Sequence, residues 1–433
     1  MKITFIKLNM IDMKSSDAMQ PLIFAILKAL TPYDIETVFY DDSIEDIPLN
    51  EKTDLVAMSV ETFSAKRAYQ IADLYRKNSI PVVMGGFHPG LMPDEVLEHS
   101  DSVAIGDAEY VWPKIIEDFR NNRLKQKYFS EYNSPLLETN FDRSVFRNKK
   151  YFPVNLVQWG RGCPHNCDFC SIHACYGANQ SLREIQEVVN EIKNLDNKPL
   201  FLVDDNLYHN RKKFEELLIA LLPLKKKWAC QISVEISKDD YIMDLMKKSG
   251  CMMVLLGIES FNKESLKQMN KSWSLGENDY VEAIKKFKKR GIMIYGTFVF
   301  GYDSDRKEDF KIALQFAIKN KFLTANFNPL YPMPGTGLYE RLKSENRLTH
   351  EKWWIDPEFY YGKTKFFQKN MSTEELEKQC FSAKKKFNSY FSIIYRALDF
   401  KSNLGSWQNA LIYILGNMTN RREIFKKQGK SLG

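Results

Sequence analysis

Three cysteines, Cys163, Cys167 and Cys170, fall within the eight-residue run "CPHNCDFC" with the spacing Cys-x3-Cys-x2-Cys. Thiolates are soft metal ligands, and the Gly162 and Pro164 around them suit a loop that wraps a compact object. Two chemistries fit. Zinc would take the three sulfurs together with His165 or His173 as a fourth ligand. A [4Fe–4S] cluster would use them on three irons and leave the fourth iron open to a substrate, unlike the four-cysteine runs of electron-transfer ferredoxins. Only the cluster makes use of the missing ligand. The remaining cysteines, Cys175, Cys230, Cys251 and Cys380, are scattered, and Cys230 and Cys251 sit in apolar strand runs as core residues.

The motif must be positioned by the elements around it. Residues 1–125 alternate β-branched runs ("KITFIKL", "IETVFY", "DLVAMSV", "PVVMGG", "DSVAIG") with amphipathic stretches ("DAMQPLIFAILKAL", "SAKRAYQIADLYRKN", "AEYVWPKIIEDFR"). That alternation predicts a doubly wound, Rossmann-like parallel sheet, with Gly85, Gly86 and Gly106 at strand ends where a ligand can approach the backbone. Residues 126–150 are polar and aperiodic and read as a linker. Six further strand runs between 151 and 345 ("VNLVQW", "PLFLVDD", "ACQISVEI", "CMMVLLGIE", "MIYGTFVFG", "TANFNPLY") predict a partial six-stranded β/α barrel. The cysteines would lie just past its first strand, at the C-terminal mouth. Residues 346–433 read as a basic, helical region. The α/β class therefore has three parts.

Composition limits the setting. The 433 residues, 44% hydrophobic, suffice for two cored domains and a tail. No apolar run approaches the roughly 20 residues of a bilayer span, and the N-terminus enters a strand pattern without a cleavage site, so a cytoplasmic address is expected. From Lys384 onward ten Lys and Arg meet two acids, a local +8 within a total of +7.

With Phe169 before the third cysteine, the motif completes Cys-x3-Cys-x-aromatic-Cys, and here the chain resembles the radical S-adenosylmethionine (SAM) enzymes. "FLVDDN", "GIES", "FVFGYD" and "LYPMPGTGLYERL" extend the resemblance along the barrel. "MGGFHPGLMPDEVLEHSDSVAIGDAE" is similar to the cobalamin-binding-type domain of one large subgroup. The resemblance implies that Cys163, Cys167 and Cys170 hold a [4Fe–4S] cluster whose open iron chelates SAM. It places Phe169 and Gly301 near the adenine, and Asp204, Asp205 and Asn206 at the SAM ammonium. Glu235 and Glu259, at the ends of neighbouring strands, would reach the ribose or methionyl part. Ser59, Gly85, Gly86 and Gly106 would meet cobalamin. No Asp-x-His-x-x-Gly occurs in residues 1–125, so no histidine stands in the usual place beneath cobalt; subgroup members without that motif hold cobalamin with its lower face open or water-bound. No cysteine precedes Cys163, which sets the chain apart from methylthiotransferases.

The implied activity is methylation of an unactivated carbon through methylcobalamin, on a small-molecule or lipid-like substrate, with flavodoxin or ferredoxin as electron donor. A radical rearrangement, cyclisation or oxidation is the alternative within enzymes, and a non-catalytic zinc-binding interaction protein the alternative outside them. Aromatic and aliphatic residues interleave with Arg and Lys in "NSYFSIIYRALDF" and "SWQNALIYILGNMTNRREIFKK", as on a helix lying on lipid at the inner face of a membrane. The same composition describes helices packed on the barrel with a solvated basic face. No nucleic-acid module accompanies the charge.

Overall fold

The computed structural model describes residues 1–130, 136, 141–208, 210–274 and 276–433. Five N-terminal strands form where the period predicts them: β1 (Lys2–Lys7), β2 (Glu36–Asp41), β3 (Leu55–Ser59), β4 (Val82–Gly85) and β5 (Ser102–Ile105). A sixth, β6 (Lys127–Phe129), comes from the expected linker, of which 131–135 and 137–140 lie outside the described residues. The order is β2-β1-β3-β4-β5-β6, all parallel. Helices α1 (Leu22–Leu30) and α5 (Ala108–Arg120) cover one face with Phe5, Phe24 and Trp112. The other face carries α2 (Ala65–Lys77), α3 (Phe87–Leu91) and α4 (Pro93–His99). The last two occupy "FHPGLMPDEVLEH", too short and Pro-broken for helical period to show. Strand order reverses between β1 and β3, and ligands of such sheets bind outside the strand ends at that switch.

The second sheet is built of β7 (Asn155–Val157), β10 (Leu200–Leu202), β11 (Trp228–Gln231), β12 (Cys251–Glu259), β13 (Met293–Phe300) and β14 (Thr324–Pro329). They pair in that order, all parallel. Between β7 and β10 a two-residue ribbon, β8 (Gly160–Arg161) with β9 (Ser181–Leu182), brackets the cysteine loop and the short α6 (Ser171–Tyr176). The outer layer is α7 (Ile185–Asn194), α8 (Arg211–Leu221), α9 (Asp240–Ser249), α10 (Lys263–Gln268), α11 (Glu277–Lys289), α12 (Lys307–Lys319) and α13 (Gly337–Ser344). A continuous core including Trp159, Trp228 and Phe298 fills the space within. Each such fully buried side chain contributes about 1.5–3 kcal/mol.

Residues 346–372, expected to be helical, form an irregular segment instead. Its Trp353, Trp354 and Phe359 pack with the N-terminal sheet's core, while Trp353 Nε1 donates to Pro332 O at 2.8 Å. Aromatic anchors spread through aperiodic sequence bury themselves without a helix. The helices α14 (Thr373–Phe387), α15 (Tyr390–Ala397) and α16 (Trp407–Lys427) follow. The chain then returns to its start, where Lys427 pairs with Asp17 at 3.1 Å and Leu432 bridges to Ile11.

Candidate active site at the barrel mouth

The cysteine loop leaves β8 through Gly162, whose φ is +91° and whose added Cβ would lie 2.1 Å from Asn179 O. Only glycine permits that crossing. None of the three cysteines is in a disulfide, and all are half-buried. Peptide N–H groups bond the sulfurs: that of His165 bonds Cys163, and those of Ile172 and His173, at the start of α6, bond Cys170. Asn206 adds a side-chain bond to Cys163. Burial nevertheless pushes all three thiols up, Cys167 to about 12, so a cationic metal is needed to hold them as thiolates. Among the described residues no three Cys, His, Asp or Glu side chains converge as a single-ion site requires. A cluster asks instead that three thiolates reach three different irons, and this donor set fits it.

Asp204, Asp205 and Asn206 leave the end of β10 beside the loop. Asp204 is 2% exposed; its Oδ1 accepts from Trp159 N at 2.9 Å, and its Oδ2 has no partner. Burial raises its carboxyl to about 7. Asp205 Oδ2 accepts from Gly162 N at 2.8 Å, which ties the loop to β10. Two adjacent acids raised by burial leave room for a cation or a donor at this edge.

Other expected site residues are differently engaged. Glu259 ends β12 at φ +62°, a left-handed conformation costing a non-glycine residue on the order of 1 kcal/mol. It is held by Lys271, whose Nζ donates to Glu259 Oε1 at 2.9 Å and to Gly257 O at 2.8 Å. Glu235 does not end a strand: β11 stops at Gln231, and Glu235 lies on the 3₁₀ turn Val234–Lys238. The strand breaks because Ser233 N bonds Asn206 Oδ1 rather than a neighbouring strand. Glu235 stands 3.9 Å from His165, itself stacked on Trp273 at 3.8 Å. Gly301 spends its N–H on Asp305 Oδ2 at 2.8 Å and packs against Phe366. Phe169 packs against the barrel core.

Two cations escape sequence reasoning. Lys271, 6% exposed, lies near enough to Cys167 to oppose the rise of its thiol. Arg161, beside the motif, reaches across to α5, bonding Asp107 Oδ1 at 2.9 Å and Glu109 Oε1 at 2.7 Å. No periodicity marks a buried cation.

Facing the mouth, Ser59, Gly85, Gly86 and Gly106 all line one cavity of about 480 Å³, together with Gln158, Arg161, Tyr176, Val203 and Asp205 of the barrel. Gly106, at φ +97°, is required by the backbone itself, since an added Cβ would lie 2.4 Å from Ser130 O. The cavity runs between α1, α5 and the strand residues Ala57, Val83 and Ala104, so most of its wall is apolar. A second cavity of about 530 Å³ shares Lys7, Ser59 and Glu61 with it and is walled elsewhere by α16. Glu61 is exposed and opens onto both cavities, with Lys7 lining them too. An apolar hollow with a few polar groups, at a switch point, suits a large macrocycle with polar arms.

Residues 157–317 match the Radical SAM superfamily. Over 369 residues the chain is 30% identical to the bacteriochlorophyllide d C-12(1)-methyltransferase of Chlorobaculum tepidum, covering 82% of this chain and 80% of that protein. The chain belongs to the radical SAM superfamily. As a radical SAM enzyme it uses a [4Fe–4S] cluster and SAM. It is also 24% identical over 353 residues to the hopanoid C-2 methylase of Rhodopseudomonas palustris, covering 77% of this chain and 66% of that one. The solved structure of the radical SAM methyltransferase TsrM from Kitasatospora setae, with cobalamin and a [4Fe–4S] cluster bound, shares the fold at TM-score 0.64 and 14% identity, over 79% of this chain and 75% of that one. Among the described residues no helix is long and apolar enough to cross a membrane.

Proposed function

We propose that this radical SAM enzyme methylates an unactivated carbon of a lipid-like substrate with the help of cobalamin. The observation that carries the reading is the single cavity whose walls join Ser59, Gly85, Gly86 and Gly106 to Arg161 and Asp205 beside the cysteine loop. When bound, SAM and the cluster supply a 5′-deoxyadenosyl radical, and the corrin supplies the methyl group. Cys163, Cys167 and Cys170 hold three irons. Asp204, Asp205 and Asn206 orient the SAM ammonium through charge-assisted hydrogen bonds. Phe169 and the Gly301 backbone border the adenine, and Glu235 and Glu259 the ribose and methionyl groups, with Lys271 positioning Glu259. The apolar walls keep water from the radical. A bacteriochlorophyllide d methyltransferase and a hopanoid methylase among the relatives support an apolar acceptor. A cytoplasmic address at a membrane's inner face accords with such a substrate, and flavodoxin or ferredoxin with the electron required.

The test is product analysis of the corrin-loaded enzyme with SAM and a low-potential reductant. Both 5′-deoxyadenosine and S-adenosylhomocysteine are expected from the wild type. Cys167→Ala is expected to form no 5′-deoxyadenosine while keeping its corrin. 5′-Deoxyadenosine alone from the wild type would favour rearrangement, cyclisation or oxidation, and zinc without iron would favour the binding protein.

A further inference from the structure

The C-terminal helices bury polar side chains beside apolar ones and carry a second apolar face outside. Arg396 of α15 is fully buried, donating to Phe322 O at 2.7 Å, Leu323 O at 2.9 Å and Asn417 Oδ1 at 2.9 Å. Asn417 and Asn409 of α16 also point inward, onto Leu323 O and Ser402 O. Many of their large apolar residues face out: Phe391 is 83% exposed, Trp407 74%, Phe400 70% and Ile394 65%, with Ile414 and Leu415 continuing the stripe. Single exposed apolar residues are ordinary, but a stripe shared by two helices and their connection marks a contact surface. Tyr413, with Ile393, Ala397 and Ile412, already packs on Met252, Met293 and Leu323, so the outward stripe is a second apolar face beyond the one that seats these helices on the barrel.

The rim decides what covers it. Lys385, Lys386, Lys401 and Arg422 are exposed around the stripe. The sole acid from 385 to 422, Asp399, is buried and paired with Lys288 at 2.7 Å. A second copy docked about a two-fold axis would set these cations against themselves. Apolar residues with aromatic rings, accompanied along 385–422 by exposed cations and no exposed acid, match the depth profile of an anionic lipid surface.

We propose that α15 and α16 dock this enzyme on an anionic lipid surface, with Phe391, Ile394, Phe400 and Trp407 in the headgroup and acyl boundary and the cations on the headgroups. This contact does not depend on the chemistry at the barrel mouth. From the same stripe α16 runs on for roughly 30 Å and supplies Glu423, Lys426 and Lys427 to the wall of the second cavity. One rigid element thus touches both the proposed lipid surface and the interior.

The experiment is sedimentation of the full chain with phosphatidylcholine vesicles, with and without phosphatidylglycerol, at low and high salt. Wild type should pellet with the phosphatidylglycerol vesicles at least tenfold more tightly than with phosphatidylcholine alone, and less at high salt. Ile394→Asp with Trp407→Asp should weaken binding at least tenfold, and Lys385→Glu with Lys386→Glu should remove the salt dependence, with iron content unchanged in both. Equal vesicle binding by wild type and the aspartate variant, or none by either, would overturn the proposal. So would a lipid-free dimer that the aspartate variant dissociates, which would assign the face to a second copy.

Discussion

Asp204 carries a proton that the unfolded chain would not. Its folded carboxyl stands at about 7, raised first by burial, against an unfolded value near 3.9. A carboxyl that binds its proton more tightly in the fold opposes folding once ionised, so its effect on stability is absent below about pH 4 and grows as pH rises towards 7. In the cofactor-free protein that loss is on the order of 2–4 kcal/mol. Asp204→Asn, which keeps an oxygen for the Trp159 N–H, should flatten it. Urea midpoints of both proteins between pH 4 and 8 measure this, and parallel curves would refute the assignment. SAM's ammonium beside Asp204 would give the ionised form its missing partner. The pairing of Asp204 and Asp205 was legible in "FLVDDN" as two acids at one strand end; which of them is buried was not, because burial depends on Trp159 and Gly160, some 45 residues earlier, where the chain passes from β7 to β8.

Arg161 acts between elements. It joins the cysteine loop to the start of α5, where Asp107 and Glu109 are 5% and 4% exposed. Arg161→Ala would take the guanidinium away from two buried carboxylates, leaving Asp107 with the Tyr176 hydroxyl at 3.3 Å, and should destabilise the protein by about 3–5 kcal/mol. Adding Asp107→Asn and Glu109→Gln should recover part of that loss in urea unfolding, and no recovery would mean that the guanidinium matters by packing alone. Period and β-branching revealed eleven principal strands, since parallel strands between helices are continuous apolar runs. β6 was hidden because it is three residues in a polar stretch, paired only with β5. Glu235 was misplaced because "ACQISVEI" alternates like one strand, whereas Asn206 takes the Ser233 N–H and turns the chain. The outward apolar face of α15 and α16 was ambiguous in sequence, since composition cannot say which face of a helix is anchored.

At the scale of the whole molecule, two parallel sheets turn their strand ends towards a common cavity. Arg161 holds them from one side. The Pro332–Gly337 turn, where Gly335 abuts Leu91 and Leu338 N donates to Asp168 O, holds them from another. The return of residues 427–432 to 10–17 closes the circuit. Such an arrangement would set the proposed corrin, in the cavity, beside a cluster held by the neighbouring cysteine loop. The direct test is anaerobic reconstitution with iron, sulfide and hydroxocobalamin, followed by metal analysis and absorption spectra after desalting. Four irons per chain with retained corrin bands are expected, the irons lost and the corrin kept in Cys167→Ala. Four irons without corrin would contradict the cavity's assignment, and zinc in place of iron would contradict radical chemistry at the three cysteines.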